Sequence, residues 1–248
     1  MTTNVLITGA SSGLGAEMAR QFAAKGYDVA VCARRTERLE ELQKEIANEH
    51  PNVKVLVKAL DVNDHDAVFR VFHEFAAELG HLDKVIVNAG LGKGQPLGTG
   101  RFDANRQTAE TNFIGALAQT EAAAEIFRKQ NAGHLVMISS VSAVRGMPKN
   151  LTTYAATKAA AAHLAEGFRA DVYGKPIKVT VLYPGFIISE MSARSETSFL
   201  MASTEKGVKA MVSAIEKEKS SARVPGWPWA PLGFALKHLP LAVARKLM

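Results

Sequence analysis

Short runs of β-branched and other apolar residues alternate along this chain with longer stretches of helical periodicity. Six such runs are present, from Val5–Ile7 near the start to Val179–Leu182 in the last third of the chain. Because a helical stretch follows each run, successive strands are expected to be parallel. The runs are apolar almost without interruption, which is typical of strands buried on both faces. The sequence therefore predicts an α/β fold, with helices covering both sides of a doubly wound parallel sheet.

The length of the chain fits one such domain. Its 248 residues are 47% hydrophobic and 22% charged, which is enough apolar surface for one large core. No repeat or Ser/Gly-rich linker divides it, so we predict a single domain over residues 1–248. Two segments depart from the pattern. Residues 186–204 are predicted to form a substrate loop, and residues 220–248, which contain both tryptophans and several prolines, a C-terminal tail.

Composition and spacing argue against several classes of partner. The formal net charge is +6, but Lys and Arg are spread over the whole length, so we predict no nucleic-acid partner. The seven histidines do not fall in a metal-ligand spacing on one helix, and we predict no metal site. Cys32, the single cysteine, lies in an apolar run and is interpreted as a buried, inert thiol.

With no basic leader and no apolar stretch of about 18 residues, the expected location is cytoplasmic.

A glycine-rich turn, Thr8 to Gly15, follows the first strand directly, and a helix pattern begins at once after it. Glycines in this place allow a tight turn and let backbone N–H groups approach a pyrophosphate at a helix N-terminus. The spacing is Gly-x-x-x-Gly-x-Gly rather than the commoner Gly-x-Gly-x-x-Gly. The position between strand and helix favours phosphate binding over a plain turn.

Two arginines, Arg34 and Arg35, follow the second strand at the place where an acidic residue would hold a ribose 2′-hydroxyl. Guanidinium groups match a phosphate in shape and charge. The pair therefore favours the 2′-phosphate of NADP(H) as its ligand. The alternative is an exposed basic turn capped by Thr36.

Tyr154 and Lys158 are four residues apart on a predicted helix and therefore share one face. A free phenol has a pKa of about 10, and a cation about 4 Å away at an effective dielectric of about 20 is worth on the order of 4 kcal/mol. A tyrosine so placed could exchange a proton near neutral pH. The alternative is a Tyr–Lys pair on a solvated helix face.

Taken in order, these motifs resemble those of the classical branch of the short-chain dehydrogenase/reductase family over roughly residues 4–190. The resemblance implies a Rossmann fold that binds a nicotinamide dinucleotide. The matching elements are Thr8-Gly9-x-x-x-Gly13-x-Gly15, Asn88-Ala89-Gly90, Asn112, Ser140, Tyr154-x-x-x-Lys158 and Pro184-Gly185. The cofactor-binding residues that it implies are Gly9, Ser11, Gly13, Leu14 and Gly15 at the phosphates, Asp61 and Val62 at the adenine, Asn88, Ala89 and Gly90 at the ribose, Ile187 and Ser189 at the nicotinamide carboxamide, and Tyr154, Lys158, Pro184 and Gly185.

The same resemblance implies four catalytic roles: Tyr154 as acid/base, Lys158 as its pKa-lowering partner and ribose anchor, Ser140 as the donor that orients the substrate oxygen, and Asn112 as the holder of a relay water. Ser140 precedes Tyr154 by fourteen residues, one more than is usual in the family, and Ser139 and Ser142 are close by. We favour Ser140 because the loop at residues 146–151 accommodates the extra residue.

The predicted function is therefore hydride transfer between NADP(H) and a small-molecule carbonyl or secondary alcohol. One alternative is a non-catalytic dinucleotide sensor or scaffold, although such proteins typically lack the Tyr or the Lys. A sugar-nucleotide epimerase of the extended branch is a second alternative, but its glycine spacing and larger substrate domain are missing. The resemblance also places the helix with Ala159–Ala162 at a subunit interface, and implies a homodimer or homotetramer.

The C-terminal tail, residues 220–248, combines aromatic and aliphatic residues with Lys237 and Arg245. Such a tail can cover apolar surface near the substrate cleft or at a subunit contact. The less favoured alternative is weak peripheral contact with an anionic membrane, which Pro240 disfavours because it interrupts a continuous amphipathic helix.

Overall fold

A seven-stranded parallel sheet runs through the computed structural model, which describes residues 3–188, 190 and 201–245. The strands are β1 Asn4–Thr8, β2 Asp28–Ala33, β3 Val55–Ala59, β4 Lys84–Val87, β5 Gly133–Ile138, β6 Ile177–Pro184 and β7 Ser221–Val224. Their spatial order is β3-β2-β1-β4-β5-β6-β7. This confirms the predicted doubly wound α/β fold.

Strand β7 corrects the sequence prediction, which assigned all residues from 220 onward to a covering tail. Ser221–Val224 instead pairs in parallel with Val181–Pro184 of β6 and forms the edge of the sheet. Only the segment after Val224 therefore lies beyond the sheet, and its predicted role as a cover stays a prediction.

Helices pack on both faces of the sheet. They are α1 Gly13–Ala23, α2 Thr36–Glu49, α3 His65–Leu79, α4 Phe102–Ala109, α5 Gly115–Gln130, α6 Leu151–Asp171, α7 Thr204–Glu216, α8 Gly226–His238 and α9 Leu241–Ala244. One apolar cluster joins α3, α5 and α6 to one face, with Phe72, Phe75 and Phe127 at its centre. The other joins α1, α2 and α7 to the opposite face, around Met18 and Phe22.

The sequence from Phe102 to Lys129 has the pattern of a single helix, but a π-helical turn, Glu110–Ile114, separates α4 from α5 within it. The Gly115 N–H donates to the Glu110 carbonyl, five residues back. Such single turns are frequent at functional sites, and this one carries Asn112.

The sheet reverses its order at β1, which pairs with β2 on one side and with β4 on the other. In parallel α/β sheets, ligands bind outside the carboxyl ends of the strands at such a switch point. The glycine-rich turn follows β1 and Asn88 follows β4, so both lie at this crevice.

Cys32 is buried at the end of β2, as predicted, and its thiol donates to the Ile7 carbonyl at 3.9 Å. Burial raises the pKa of the thiol far above its usual range. Within the described part of the chain, no helix is both long and apolar enough to cross a membrane.

His134 is buried between β5 and β6, where its Nε2 atom lies 2.8 Å from Thr180 Oγ1. Burial, together with the positive charges of Lys84 and Lys178, lowers its pKa from 6.5 to about 4. The unfolded chain therefore binds a proton between these pH values that the folded chain does not. The contribution of neutral His134 to the free energy of unfolding is therefore complete above pH 6.5, and it is lost as the pH falls to about 4.

We expect His134→Gln to flatten the decline in unfolding free energy over this pH range, by up to about 3 kcal/mol, because glutamine can bond Thr180 but does not titrate. Urea unfolding at several pH values between 4 and 6.5 measures the decline. His65→Gln, at an exposed position, is the control. Parallel pH profiles for the wild type and His134→Gln would contradict the assignment.

Candidate active site

Two glycines shape the turn between β1 and α1. Gly9 has φ +64°, and its N–H donates to the Cys32 carbonyl at 2.8 Å. A Cβ atom at Gly9 would lie 2.8 Å from the Cα atom of Ala89, and one at Gly15 would lie 2.5 Å from the Gly9 carbonyl oxygen and 2.7 Å from Asn88 Nδ2. Only glycine lets the turn come this close to the end of β4. The N-terminus of α1 therefore faces the crevice.

Thr8 joins this turn to the residues after β4. Its Oγ1 atom accepts the N–H groups of Asn88 and Ala89, both at 3.1 Å, and the Asn88 side chain donates to the Thr8 carbonyl at 2.8 Å. The predicted phosphate-binding and ribose-binding residues thus form one hydrogen-bonded floor. Leu14 packs from this floor into the core beside α1.

Gly90 brings the end of β4 close to the predicted catalytic residues. A Cβ atom there would lie 3.2 Å from both Asn112 Oδ1 and Lys158 Nζ. The Asn112 side chain accepts the Leu91 N–H at 2.6 Å and donates to the Leu91 carbonyl at 2.8 Å. Its Nδ2 atom also donates to Thr157 Oγ1 at 3.3 Å. These bonds tie the π-helical turn, α6 and the segment after β4 together.

Lys158 is only 6% exposed, and its ammonium group donates to the Ile138 carbonyl at 2.9 Å. Burial lowers its pKa from 10.5 to about 8. Its Nζ atom lies 6.0 Å from the centre of the Tyr154 ring. The two side chains thus share a helix face, as predicted from their spacing.

Tyr154 is half-buried and hydrogen-bonded to Ser140. Burial raises its pKa above 10.0, and the Ser140 hydrogen bond offsets only part of that rise. The sequence predicted the opposite direction, from a cation about 4 Å away. The expectation is wrong for the protein alone because burial penalises the charged phenolate, and the Lys158 ammonium is bonded to the Ile138 carbonyl.

Three serines near β5 have distinct partners. Ser139 is buried and donates to the Lys158 carbonyl at 2.8 Å. Ser142 donates to Ser140 Oγ through its hydroxyl at 2.9 Å and through its N–H at 3.2 Å. Of the three, Ser140 is the one that contacts Tyr154. The structure thus brings Ser140, Tyr154, Lys158 and Asn112 together at the carboxyl edge of the sheet.

Arg34 and Arg35 point in different directions, whereas the sequence predicted that they would bind one phosphate as a pair. Arg34 Nη1 lies 3.9 Å from Asp61 Oδ2. Arg35 donates to Ser11 Oγ at 3.2 Å and to Ser12 Oγ at 2.8 Å, and therefore lies against the glycine-rich turn. Of the two, Arg35 is the one bonded to the glycine-rich turn, and the binding of a phosphate by either stays a prediction.

Arg38 and Glu190 also belong to this end of the crevice, and the sequence analysis assigned a role to neither. The Glu190 carboxylate accepts hydrogen bonds from Arg38 Nη1 and, at 3.1 Å, from Arg35 Nη2. Hydrogen bonds from Arg38, Arg35 and Ser12 lower its pKa to about 2. Arg35 and Arg38 are three residues apart at the start of α2, and this spacing could have predicted that they lie side by side. Nothing in the sequence around Glu190 predicts its contact with them.

Asp61 and Val62 follow β3 at the same edge. The Asp61 carboxylate accepts the Asn63 N–H at 3.0 Å. Val62 is buried, and a Cβ atom at Gly115 would lie 3.1 Å from it. The adenine contacts that the resemblance implies for these two residues stay a prediction.

Helix α8 packs against the residues that follow β6. Trp229 is buried against Gly185, directly after Pro184 at the end of β6, and a Cβ atom at Gly185 would overlap its indole ring. Phe186 meets the same ring edge to face, with centroids 5.0 Å apart. Arg145 donates to the carbonyls of Leu236, at 2.9 Å, and Leu239. Helix α8 thus joins the end of β6 to the turn that follows Ser140.

The predicted nicotinamide-side residues are described only in part. Ile187 is buried and forms a parallel bridge with Ala202. Ser189 lies outside the described residues, as do residues 191–200 of the predicted substrate loop.

Comparisons with known proteins agree with this architecture. A family model described as short chain dehydrogenase matches residues 3–199. An uncharacterized oxidoreductase of Mycobacterium tuberculosis is 52% identical over 242 residues, which cover 98% of this chain and 96% of the relative.

Two solved structures have the same fold. A short chain dehydrogenase from Burkholderia cenocepacia in complex with NADP has a TM-score of 0.85 at 24% identity, covering 100% of this chain and 98% of that one. The closed form of serine dehydrogenase complexed with NADP⁺ has a TM-score of 0.76 at 25% identity, covering 86% and 89%.

Proposed function

The chain belongs to the short-chain dehydrogenase family of oxidoreductases, and on that basis we propose that it transfers a hydride between NADP(H) and a carbonyl or secondary alcohol. The observation that carries the proposal is the hydrogen-bonded pair of Ser140 and Tyr154 beside the buried ammonium of Lys158. Two hydroxyl groups and one cation thus lie near one point at the carboxyl edge of the sheet.

The glycine cradle supports the binding of a dinucleotide. Side chains at Gly9 or Gly15 would fill the space between the β1–α1 turn and the end of β4. Backbone N–H groups at a helix N-terminus are suited to a pyrophosphate. When bound, the nicotinamide ring supplies or accepts the hydride.

Arg35 supports a preference for NADP(H) over NAD(H). Its guanidinium group is oriented by Ser11 and Ser12 and already binds a carboxylate, so it is placed to bind an anion. Serine dehydrogenase, at 25% identity, is complexed with NADP⁺. Arg34, facing Asp61, contributes a more distant charge in this proposal.

In the direction of reduction, negative charge develops on the carbonyl oxygen of the substrate. We assign Tyr154 as the proton donor to that oxygen and Ser140 as the donor that orients it, since donors aimed at the developing charge stabilise the transition state. Lys158, with a pKa of about 8, is mostly protonated at neutral pH, and its charge favours the phenolate that Tyr154 leaves. We also assign Asn112 as the holder of a relay water in this proposal, since the bonds of its side chain to Leu91 and Thr157 fix its position beside α6.

Turnover is the direct test of this proposal. Purified protein is incubated with NADPH or NADH and a panel of aldehydes and ketones, and cofactor absorbance is followed. We expect at least one substrate to consume NADPH faster than NADH. NADPH binding without turnover of any substrate would instead favour the non-catalytic sensor or scaffold.

We also propose that the protein forms a homodimer or homotetramer, as its family commonly does. Within the small-residue run of α6, Ala161 and Ala162 are buried in the core against the sheet, whereas Ala159 and Ala160 remain partly exposed. Close packing on the sheet thus accounts for half of the run, and the partly exposed pair is the part that another subunit could contact.

For the C-terminal segment after β7, we propose a role as one wall of the substrate cleft. Its support is the packing of Trp229 on Gly185 and the bonds from Arg145 to the end of α8. The less favoured proposal, weak contact with an anionic membrane, rests on the exposed side chains of Trp227 and Phe234.

Trp229→Ala is expected to raise KM for the substrate by several-fold with little change in NADPH affinity, because the wall beside Gly185 loses its main side chain. The control is Trp227→Ala, since Trp227 is 81% exposed. Equal KM values for the two variants would contradict the wall. Co-sedimentation of the wild type, but not of Trp227→Ala, with anionic liposomes would favour the membrane proposal.

A further inference from the structure

Glu190 contacts two turns that lie far from it in the sequence. It follows β6, whereas Ser12 precedes α1 and Arg35 and Arg38 lie at the start of α2. Its two carboxylate oxygens accept from different guanidinium groups, Oε1 from Arg38 and Oε2 from Arg35. The Ser12 side chain also hydrogen-bonds the carboxylate. These contacts cross the crevice at its phosphate-binding end.

The donors around Glu190 form a site for an anion. Arg35 is held in place by Ser11 and Ser12, so its guanidinium group is oriented before any ligand arrives. Guanidinium groups bind carboxylates and phosphates with the same planar fork of N–H donors. A phosphate monoester is therefore chemically equivalent to the Glu190 carboxylate as a partner, and carries more charge.

Glu190 is also readily displaced. Its side chain is 52% exposed, and those of Arg35 and Arg38 are 40% and 44% exposed. Ion pairs at this level of exposure are weak and screened by salt. A phosphate cannot share the same N–H groups with the carboxylate, because Arg35 Nη2 already donates to both Ser12 and Glu190.

We propose that Glu190 is an internal occupant of the site for the cofactor 2′-phosphate, that the phosphate displaces it, and that Arg38 joins Arg35 in binding that phosphate. The proposal rests on the proposed function, since it assumes an NADP(H) site at Arg35. It makes Glu190 a cofactor-selectivity residue. Its carboxylate competes with NADP(H) but not with NAD(H), which has no 2′-phosphate, and thereby narrows the difference in affinity between the two.

The test uses two small probes, adenosine 2′,5′-bisphosphate and 5′-AMP, which differ only in the 2′-phosphate. Isothermal titration calorimetry at low ionic strength gives the Kd of each for the full-length wild type and Glu190→Gln. We expect Glu190→Gln to bind the bisphosphate about 3- to 10-fold more tightly, with 5′-AMP changed by less than about twofold. The gain is expected to shrink at high salt.

The matched control is Glu218→Gln. It removes the same charge and breaks an exposed ion pair, that of Glu218 with Lys178, at the opposite edge of the sheet. Both probes should bind this variant as they bind the wild type. Arg38→Ala should weaken the bisphosphate but not 5′-AMP. Circular dichroism of each variant establishes that it is folded.

An unchanged Kd of Glu190→Gln for the bisphosphate would overturn the proposal. Equal tightening of both probes would also overturn it, because Glu190 would then obstruct the whole crevice rather than the phosphate site. A failure of the proposed cofactor preference is seen separately, as equal affinities of the wild type for the two probes. The Glu190 proposal is judged instead by the difference between variant and wild type.

Discussion

Replacing Tyr154 by Phe is expected to lower turnover by about 10²-fold or more while leaving NADPH affinity nearly unchanged. The substitution removes the hydroxyl that Ser140 contacts and keeps the ring beside Lys158. The proton donor is lost, but the shape of the crevice is retained. Steady-state kcat with a substrate from the panel and fluorescence titration with NADPH measure the two quantities.

Tyr173→Phe is the matched control for Tyr154→Phe, because it makes the same chemical change at a side chain that is 90% exposed. It should have wild-type kcat and NADPH affinity. Near-native turnover of Tyr154→Phe would rule out Tyr154 as the acid/base. A parallel loss of NADPH affinity would mean that the hydroxyl acts mainly in binding.

Arg35→Ala is expected to weaken NADPH binding by about 10-fold or more, with a much smaller effect on NADH. A charge-assisted hydrogen bond is worth about 1.5 to 3 kcal/mol, and the partial exposure of Arg35 places the expected loss toward the lower end of that range. Fluorescence titration of each variant with both cofactors gives the comparison.

Arg34→Ala separates the two arginines that the sequence treated as a pair. Arg34 faces Asp61 and lies away from the glycine-rich turn, so its removal should affect NADPH less than the removal of Arg35. Equal losses for NADPH and NADH in Arg35→Ala, or a wild-type preference for NADH, would show that Arg35 does not bind a 2′-phosphate.

The fold was largely predictable because the hydrophobic pattern is strong. Strands such as β1 and β5 contain uninterrupted apolar runs, Val5–Ile7 and Leu135–Ile138, and burial on both faces requires helices on both sides. Strand β7 escaped detection because it has four residues, begins with Ser221 and contains Arg223, so its apolar pattern is weak. The π-helical turn was not predicted because one inserted residue hardly changes the helical spacing of apolar residues along the sequence.

The candidate site was predictable where its residues share one local element. Tyr154 and Lys158 lie one turn apart on α6, so spacing alone placed them on one face. The burial of Tyr154 could not be predicted from the sequence, and the predicted direction of its pKa shift was therefore wrong. The distinct partners of Ser139, Ser140 and Ser142 also depend on tertiary packing.

Contacts between segments that are far apart in the sequence could not be predicted from the local sequence pattern. Glu190 reaches Arg35 across 155 positions of sequence, and its neighbours along the chain do not indicate a basic partner. In the sequence, Arg38 could be recognised only as the third arginine of the basic stretch that begins at Arg34. Their shared site forms because Glu190, six residues after the end of β6, reaches the start of α2, and a single sequence does not encode this contact as a motif.

The contact between Gly185 and Trp229 links the two positions for any redesign of this protein. Because a Cβ atom at residue 185 would occupy the space of the indole ring, a larger residue there requires a smaller one at 229, and each change alone leaves either an overlap or a cavity. A new side chain at residue 185 can therefore be packed without overlap only when residue 229 changes with it. A library that varies the two positions together would sample packing arrangements beside the end of β6 that single-site libraries miss.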